Sequence, residues 1–343
     1  MPGEPRDPSI AFVVATLDEA ATIEQCLRSL VDQDYPADRL QVAVVDGGSI
    51  DGTREIVRRF CTDESRVALY ANPRCIAAAA FNIGVDSTRS DIISLASAHS
   101  TLDAGYARVL ADAFVASGAS LVGGRKVADA GTSTRSPMAA AIVRATSSPL
   151  GLGSAGYHYS EVPGWVDTAF PGAYRRELLS EIGGFDESLV RNQDDELHLR
   201  ARIAGHPMWY EPRLRSTYRP RPSLTTLWRQ YYEYGWWRVV TVRKHRRVAS
   251  LRHLAPAALV AGLVAGPTVA LLRPGMPRWW STAWGAGTVG WFGWLAAAGW
   301  RERGASDGSA PYVPLAVACL HLAYGSGFWL SLLEQVARRD RPS

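Results

Sequence analysis

The sequence predicts an N-terminal α/β domain followed by a helical region that crosses a membrane. Short apolar, β-branched runs alternate with segments of helical periodicity in the first part of the chain, and three apolar stretches dominate after Arg252. Alternating strands and helices imply right-handed crossovers and a parallel sheet. A chain of 343 residues has room for one such domain and a further region.

Four strands are predicted in this first part, and each is a short apolar run. They are Ile10–Ala15, Val42–Val45, Val67–Tyr70 and Ile92–Leu95. Apolar residues at helical spacing between the strands predict the connecting helices.

Polar side chains follow three of these strands. They are Thr16 with Glu19, Asp46, and Ser97 with His99. Because ligands of parallel sheets bind beyond the carboxyl ends of the strands, we expect these side chains to share one crevice. No Gly-x-Gly-x-x-Gly follows any predicted strand, which argues against a dinucleotide-dependent oxidoreductase.

The basic residues do not predict nucleic-acid binding. The net charge is only +4, and one basic cluster lies directly before an apolar stretch. Its members are Arg243, Lys244, Arg246, Arg247 and Arg252. This position is typical of a juxtamembrane segment kept in the cytoplasm by the positive-inside rule, and a solvated basic turn is the alternative.

The cysteines and the first residues predict an intracellular domain. The four cysteines form no Cys-x-x-Cys pair, so neither a zinc site nor a redox dithiol is indicated. Residues 1–9 are polar and rich in proline, unlike a secretory signal peptide.

Three stretches are long enough to span a bilayer: Ala255–Leu272, which contains Pro267, Trp279–Trp300 and Pro311–Leu333. A buried soluble bundle is the alternative. Three spans would place Arg338, Arg339 and Arg341 on the non-cytoplasmic side of the membrane, whereas basic residues usually lie on the cytoplasmic side. His321 is expected to face the helix bundle. The predicted domains are 1–234, a juxtamembrane segment 235–254 and a membrane region 255–343.

The segment Val44–Thr53, with Val13–Glu19 before it, resembles the nucleotide motifs of family 2 glycosyltransferases, which have the Rossmann-like GT-A fold. Within that family the chain resembles bacterial exopolysaccharide enzymes of the succinoglycan type, over about Ser9–Tyr234. The resemblance implies that Thr16, Glu19 and Asp46 bind the nucleotide of a nucleotide sugar. The Ser-Ile-Asp-Gly-Thr turn favours a helix cap over ligand contact for Asp51.

The stretch Asn72–Gly84 resembles the family segment beneath the nucleotide. Arg74 is predicted to meet the diphosphate, since guanidinium suits phosphate oxygens, and a solvent-exposed loop arginine is the alternative.

The metal motif of the family, Asp-x-Asp, reads Ser97-Ala98-His99 here. The family uses Mg²⁺ or Mn²⁺ to bridge this motif to the diphosphate, so the resemblance implies His99 as a metal or diphosphate contact, with Ser97 beside it. Hard cations prefer oxygen ligands, so binding is expected to be weaker than with two carboxylates. Metal-independent stabilisation of the leaving group and loss of catalysis are the alternatives.

The segment Pro171–Arg200 resembles the acceptor half of the family's catalytic domain. The acidic residues after Asn192 are predicted to open a helix, where the helix dipole favours negative charge. Counting back from Leu197 and Arg200 implies Asp194 as the catalytic base, with Asp195 second. Downstream, Gln230 matches part of the segment that closes over the donor.

The predicted function is the transfer of a sugar, with inversion, to a lipid-linked or polysaccharide acceptor at the cytosolic membrane face. A UDP-linked donor is expected because the family commonly uses one. The enzyme is then a multi-pass membrane protein of polysaccharide or cell-envelope assembly. The alternative is a non-catalytic binding or scaffold protein with a degenerate metal motif, and a channel has little support.

Overall fold

The computed structural model describes residues 7–129, 136–153, 156–220, 222–273 and 277–339. The chain divides into two compact units. Unit 1 comprises Met1–Val127 and Tyr157–Arg219, and unit 2 comprises Ala128–Gly156 and Pro220–Ser343. Unit 2 thus takes a segment, 128–156, that lies inside the first sequence-predicted domain. The division of the chain into domains at 1–234, 235–254 and 255–343 stays a prediction.

Nine strands form one sheet within the described residues. They are β1 (Ile10–Thr16), β2 (Leu40–Asp46), β3 (Val67–Ala71), β4 (Ile92–Ser97), β5 (Ser100–Leu102), β6 (Leu121–Ala128), β7 (Gly164–Val166), β8 (Gly172–Arg175) and β9 (Met208–Tyr218). All four predicted strands are present.

The sheet is mixed, whereas the sequence analysis predicted a parallel one. Its order is β3-β2-β1-β4-β8-β6-β9-β5, and β7 pairs with β9. The first four strands are parallel neighbours. From β8 onward the strands pair antiparallel: β8 with β4 and β6, and β9 with β5 and β7. Helices also connect later strands, as Tyr106–Ser117 does between β5 and β6 and Gln193–Ile203 does between β8 and β9. These strands nevertheless pair antiparallel with their described neighbours, so the alternation of strands and helices implies parallel pairing only through β4.

The helices of unit 1 cover both faces of the sheet. They are α1 (Ile23–Val31), α2 (Thr53–Asp63), α3 (Ala77–Asp86), α4 (Tyr106–Ser117), α7 (Arg176–Ile182) and α8 (Gln193–Ile203). Phe12 belongs to a buried cluster with residues of α1 and α4. Its neighbour Val13 belongs to a second cluster with Phe81 of α3 and Leu197 of α8. Alternate strand residues therefore serve opposite faces, as the pleat requires.

Unit 2 is helical over its described residues. Its helices are α5 (Pro137–Thr146), α6 (Pro149–Leu152), α9 (Leu224–His245), α10 (Ala255–Leu272), α11 (Arg278–Arg301) and α12 (Val313–Arg339). The α9 and α12 backbones approach closely at two glycines. A Cβ on Gly235 would lie 2.0 Å from the carbonyl oxygen of Tyr324, and one on Gly327 would lie 2.1 Å from that of Tyr232. Small residues at such crossings permit close helix packing.

The three apolar stretches are helices, but the described residues contain one helix that meets both the length and the apolarity of a membrane span. It is Ala310–Arg338, with mean hydropathy 1.4 and 39% of its most apolar window buried. Core helices of soluble proteins also satisfy this test, so three spans stay a prediction. His321 is hydrogen-bonded to the carbonyl oxygen of Gly151 at 3.2 Å, within unit 2. Arg341 lies outside the described residues.

Candidate active site

The carboxyl ends of three parallel strands bring predicted site residues together. Thr16 and Asp46 are register partners at the last positions of β1 and β2. Ser97, the last residue of β4, is the partner of Ala15 on the other side of β1. Adjacent strands lie about 4.8 Å apart, so these residues form one row. Thr16 is 6% exposed, and its hydroxyl oxygen has no hydrogen-bond partner in the described part of the chain.

Asp46 holds the turn that follows its own strand. Its carboxylate accepts hydrogen bonds from the backbone N–H of Gly48 (2.9 Å) and from the hydroxyl of Ser49 (2.5 Å). The Nε of Arg54 lies 3.6 Å from the same carboxylate, which is 4% exposed. Gly48 has a φ of 96°, a conformation that favours glycine. Asp46 therefore shapes the turn at the strand end.

Asp51 and its neighbours tie the loops after β1 and β2 together. The Asp51 carboxylate accepts from the backbone N–H of Thr53 at 3.0 Å, at the start of α2, and from that of Ala20 at 2.9 Å. The hydrogen bond from the Thr53 hydroxyl is the main cause that lowers the pKa of Asp51. In return the hydroxyl of Thr53 accepts from the backbone N–H of Glu19 at 2.8 Å. The N-cap position itself is Gly52, and Asp51 accepts the first backbone N–H of α2 from one residue earlier.

Glu19 and His99 are brought into direct contact. The Nδ1 of His99 lies 3.0 Å from a Glu19 carboxylate oxygen, and the two side chains are 37% and 28% exposed. The described residues contain no group of three or more His, Cys, Asp or Glu side chains placed to hold a metal. The imidazole would supply at most one ligand, so a divalent cation held here would take most of its coordination from a diphosphate and water, and a hard cation, which prefers oxygen ligands, would gain little from His99.

Arg74 is paired with an acidic residue that the sequence analysis did not single out. Its guanidinium donates to Glu187, whose other carboxylate oxygen accepts from the side-chain amide of Asn82 at 2.8 Å. Asn82 also donates to the carbonyl oxygen of Phe185 at 2.9 Å. Arg74 thus links the loop before α3 to Glu187, which directly follows the Gly183–Asp186 turn, and a diphosphate would have to compete with Glu187 for Arg74.

The predicted catalytic carboxylates lie in the first turn of α8. Asn192 precedes the helix with a φ of 61°, and Asp194 accepts from the backbone N–H of Asp195 at 2.9 Å. The helix dipole favours negative charge at this end. The side-chain oxygen of Gln193, buried beside them, has no hydrogen-bond partner among the described residues. The predicted acidic opening of a helix is confirmed.

A buried network fixes α8 in place. Glu196 is 0% exposed and pairs with Arg200 at 2.9 Å, one turn along the helix. The guanidinium of Arg200 also donates to the carbonyl oxygens of Ile182 (2.7 Å) and Gly184 (2.6 Å). In the sequence analysis Arg200 served only to locate the catalytic aspartate. The signal for this ion pair was the spacing of four residues between Glu196 and Arg200, which places the two side chains next to each other on a helix.

His198 lies on the buried side of the same helix. It is hydrogen-bonded to the hydroxyls of Thr168 (2.8 Å) and Tyr174 (2.9 Å). Burial lowers the pKa of His198 to about 4, partly opposed by the nearby Asp195. Burial, and then the charges of Asp194 and Asp195, raise the pKa of Tyr174 well above its usual value. The acidic first turn of α8 thus lies close to the hydrogen-bonded pair of His198 and Tyr174, both of which are neutral.

Lys126 is a further cation that the sequence analysis did not identify. Its ammonium lies 4.1 Å from the ring centre of Tyr218 and 5.1 Å from that of Phe170. Tyr218 pairs with Ser100, the residue after His99.

Gln230, which was predicted to contact the donor, belongs to unit 2. Its side-chain amide donates to the hydroxyl of Tyr234 at 2.9 Å within α9.

Comparisons with known proteins identify the family of the chain. Residues 11–183 match the model of "Glycosyl transferase family 2". The chain is 33% identical over 335 residues to the succinoglycan biosynthesis protein ExoA of Rhizobium meliloti, covering 95% of this chain and 96% of that protein. It is 24% identical over 249 residues to a dolichyl N-acetyl-α-D-glucosaminyl phosphate diacetamido-dideoxy-glucuronosyltransferase of Methanococcus voltae, covering 68% and 74% of the two chains.

Solved structures show the same fold. The mannosyltransferase PcManGT of Pyrobaculum calidifontis, in complex with GDP-Man and Mn²⁺, is 19% identical and superposes with a TM-score of 0.61 over 92% of this chain and 88% of that one. TarS 1–349 of S. aureus, in complex with UDP, superposes with a TM-score of 0.52 at 15% identity, over 97% and 92% of the two chains. Unit 1 therefore has the GT-A fold, and the chain belongs to glycosyl transferase family 2 and is a glycosyltransferase.

Proposed function

We propose that this enzyme transfers a sugar, with inversion, from a UDP-linked donor to a lipid-linked or polysaccharide acceptor. The observation that carries the proposal is the row of Thr16, Asp46 and Ser97 at neighbouring strand ends. A buried hydroxyl, a carboxylate and a second carboxylate on Glu19 suit the ribose and base of a nucleotide. The names of the Rhizobium and Methanococcus relatives support polysaccharide and dolichyl phosphate-linked acceptors.

Asp194 is the proposed base, and Asp195 is the second candidate. Inverting transfer is one displacement at the anomeric carbon, so the acceptor hydroxyl must lose its proton as it attacks. A carboxylate within hydrogen-bonding reach of that hydroxyl accepts the proton. Holding acceptor and donor in line contributes to the rate as well, because it removes the entropy of a bimolecular encounter. The Glu196–Arg200 pair keeps the first turn of α8 in position for this task.

The charge that develops on the leaving nucleotide needs stabilisation. His99 is the proposed contact for a divalent cation or for the diphosphate itself, and Arg74 becomes a diphosphate ligand once it exchanges Glu187 for phosphate oxygens. When bound, a divalent cation neutralises charge on the diphosphate. Gln230 is proposed as a donor contact only because its segment resembles the one that closes over the donor in the family.

Unit 2 is proposed to anchor the enzyme in a membrane with the catalytic domain on the cytosolic side. The helix Ala310–Arg338 is long and apolar enough to span, and α10 and α11 are proposed as further spans. Large apolar side chains on α10 and α11 support lipid contact, since Leu271, Trp279 and Phe292 are 82%, 65% and 59% exposed. The basic cluster at Arg243 to Arg252 then lies at the cytosolic headgroups.

The test is a panel of nucleotide sugars against the purified full-length protein. A true donor should raise the melting temperature, because a ligand that binds only the folded state stabilises it, by about 2.7 kcal/mol at one hundred times Kd. Transfer of labelled sugar to extracted membrane lipids then identifies the acceptor class. ADP-sugars and free sugars serve as controls. Stabilisation by GDP-linked sugars and not by UDP-linked ones would overturn the choice of UDP, and stabilisation by neither would overturn the proposal.

A further inference from the structure

Arg144 of α5 holds the connection between α11 and α12. Its guanidinium donates to Glu302 at 2.7 Å, to Asp307 at 2.9 Å and to the hydroxyl of Ser309 at 2.9 Å. Ser309 is fully buried, and all three partners belong to the connection 302–309. Hydrogen bonds between charged groups are among the stronger ones in proteins, so this one side chain fixes the connection against α5.

The helix α5 belongs to a segment that stays on the catalytic side of a membrane. Segment 128–156 follows β6, and the chain returns to the same sheet at β7. The described helices of this segment, α5 with ten residues and α6 with four, are too short for a hydrocarbon core, which takes about 20 helical residues. The connection 302–309, which Arg144 holds, therefore lies on the same side as the catalytic domain.

The helices α10 and α11 begin and end on that same side. The basic cluster Arg243 to Arg252 precedes α10 and lies at the cytosolic headgroups in the proposed function. The lengths of α10 and α11, 18 and 24 residues, suffice for one passage each. At the returning end of α11 the guanidinium of Arg303 lies 4.3 Å from the ring centre of Trp300, a pairing typical of a membrane surface.

The helix α12 lies beside α9, and the two run in the same direction. Near their starts the thiol of Cys319 donates to the carbonyl oxygen of Leu224 at 3.5 Å. Near their ends Arg243 donates to the side-chain oxygen of Gln335 at 2.9 Å. Between these contacts the two backbones meet at the glycine crossings described above. The end of α12 therefore lies beside the basic cluster, and its start follows the connection held by Arg144.

A passage of α12 through the bilayer would take α9 with it. The side chain of Arg229 in α9 is 84% exposed and pairs with Glu233 at 3.3 Å, and charged groups of this kind are costly in hydrocarbon. We propose that α12 stays on the catalytic side and that, among the described helices of unit 2, only α10 and α11 cross, as a two-pass hairpin.

This inference rests on the membrane anchor of the proposed function and narrows it, because length and apolarity alone had made α12 a candidate span. It also places Arg338, near the end of α12, on the cytoplasmic side, where basic residues usually lie. The conflict with charge bias that three spans create is thereby removed.

The test is the side of the membrane from which exposed thiols react with a maleimide that cannot cross it. The native Cys75 is exposed and belongs to unit 1, so it marks the catalytic side. Ser306→Cys and Ala337→Cys, both at exposed positions, are introduced singly into the full-length protein. Peptide mass spectrometry identifies the labelled sites. Both new thiols should react together with Cys75 in sealed inverted vesicles and stay unlabelled in right-side-out ones.

Arg278→Cys is the matched control at the exposed start of α11, next to the connection between α10 and α11. Its thiol should show the reverse pattern and react only in right-side-out vesicles. Labelling of Ala337→Cys or Ser306→Cys on the side opposite to Cys75 would overturn the inference. So would labelling of Arg278→Cys on the same side as Cys75 in a protein that resists extraction by alkaline carbonate. If carbonate releases the wild type from membranes, the membrane anchor of the proposed function fails instead.

Discussion

Arg200 joins the fully buried carboxylate of Glu196 to the glycine turn that precedes α8. The guanidinium lies 2.9 Å from Glu196 and donates to the carbonyl oxygens of Ile182, Gly183 and Gly184. One side chain therefore compensates a buried charge and satisfies three backbone acceptors. Because Asp194 lies in the first turn of the same helix, this pair fixes the position of the proposed base.

Arg200→Ala should destabilise the protein by about 3 kcal/mol, since it leaves an uncompensated charge in the interior. Thermal unfolding monitored by intrinsic fluorescence measures the effect. Arg202→Ala is the control on the same helix: its partner Asp167 is 43% exposed, so the loss should stay below about 1 kcal/mol. The double variant Glu196→Gln with Arg200→Met should be more stable than Arg200→Ala. Equal losses for both arginines would contradict the buried-pair argument.

Asp194→Asn should lower the rate of sugar transfer by about 10²- to 10⁴-fold, because the amide cannot accept the proton of the attacking hydroxyl. Donor affinity and melting temperature should stay close to wild type, which separates catalysis from folding. Asp195→Asn is the matched control in the same turn. Full transfer activity in Asp194→Asn, with loss in Asp195→Asn, would move the role of base to Asp195.

His198 should make the stability of the protein depend on pH. Its pKa is lowered from 6.5 to about 4 in the folded state by burial. Between these values the unfolded chain binds more protons than the folded one, so stability falls as pH is lowered, by at most about 1.4 kcal/mol per pH unit. Chemical denaturation at a series of pH values measures the slope.

His198→Gln removes this titration and should flatten the slope between pH 6.5 and 4, even though the variant starts less stable. Other titrating groups are common to both proteins and cancel in the difference. Parallel pH profiles for wild type and variant would show that His198 is not the group responsible.

Gly235→Ala should destabilise unit 2, because the added methyl group would lie 2.0 Å from the carbonyl oxygen of Tyr324. Forcing α9 and α12 apart costs about 1 to 3 kcal/mol. Gly290→Ala is the control: nothing lies within 4 Å of a Cβ there, and alanine gains about 0.5 to 1 kcal/mol of helix propensity. Melting of the detergent-solubilised protein tests both, and a similar response to the two changes would contradict the packing argument.

The sequence alone determined the first half of the catalytic domain. Apolar runs such as Ile10–Ala15 and the polar residues at their ends predicted β1 to β4 and the row of Thr16, Asp46 and Ser97. These signals are local, since a buried parallel strand must be apolar throughout and its end must expose a loop. The acidic start of α8 was predicted for a similar reason, because helix ends favour charges of one sign.

The tertiary structure alone decided which of these residues contact one another. Strand β8 has only four residues and β6 contains two glycines, and the antiparallel pairing of β6, β8 and β9 depends on partners far along the chain. Residue spacing along the chain could not show that His99 lies against Glu19, eighty positions away, or that Arg74 pairs with Glu187. Such contacts form only when packing of both sheet faces fixes the loops, so no local pattern encodes them.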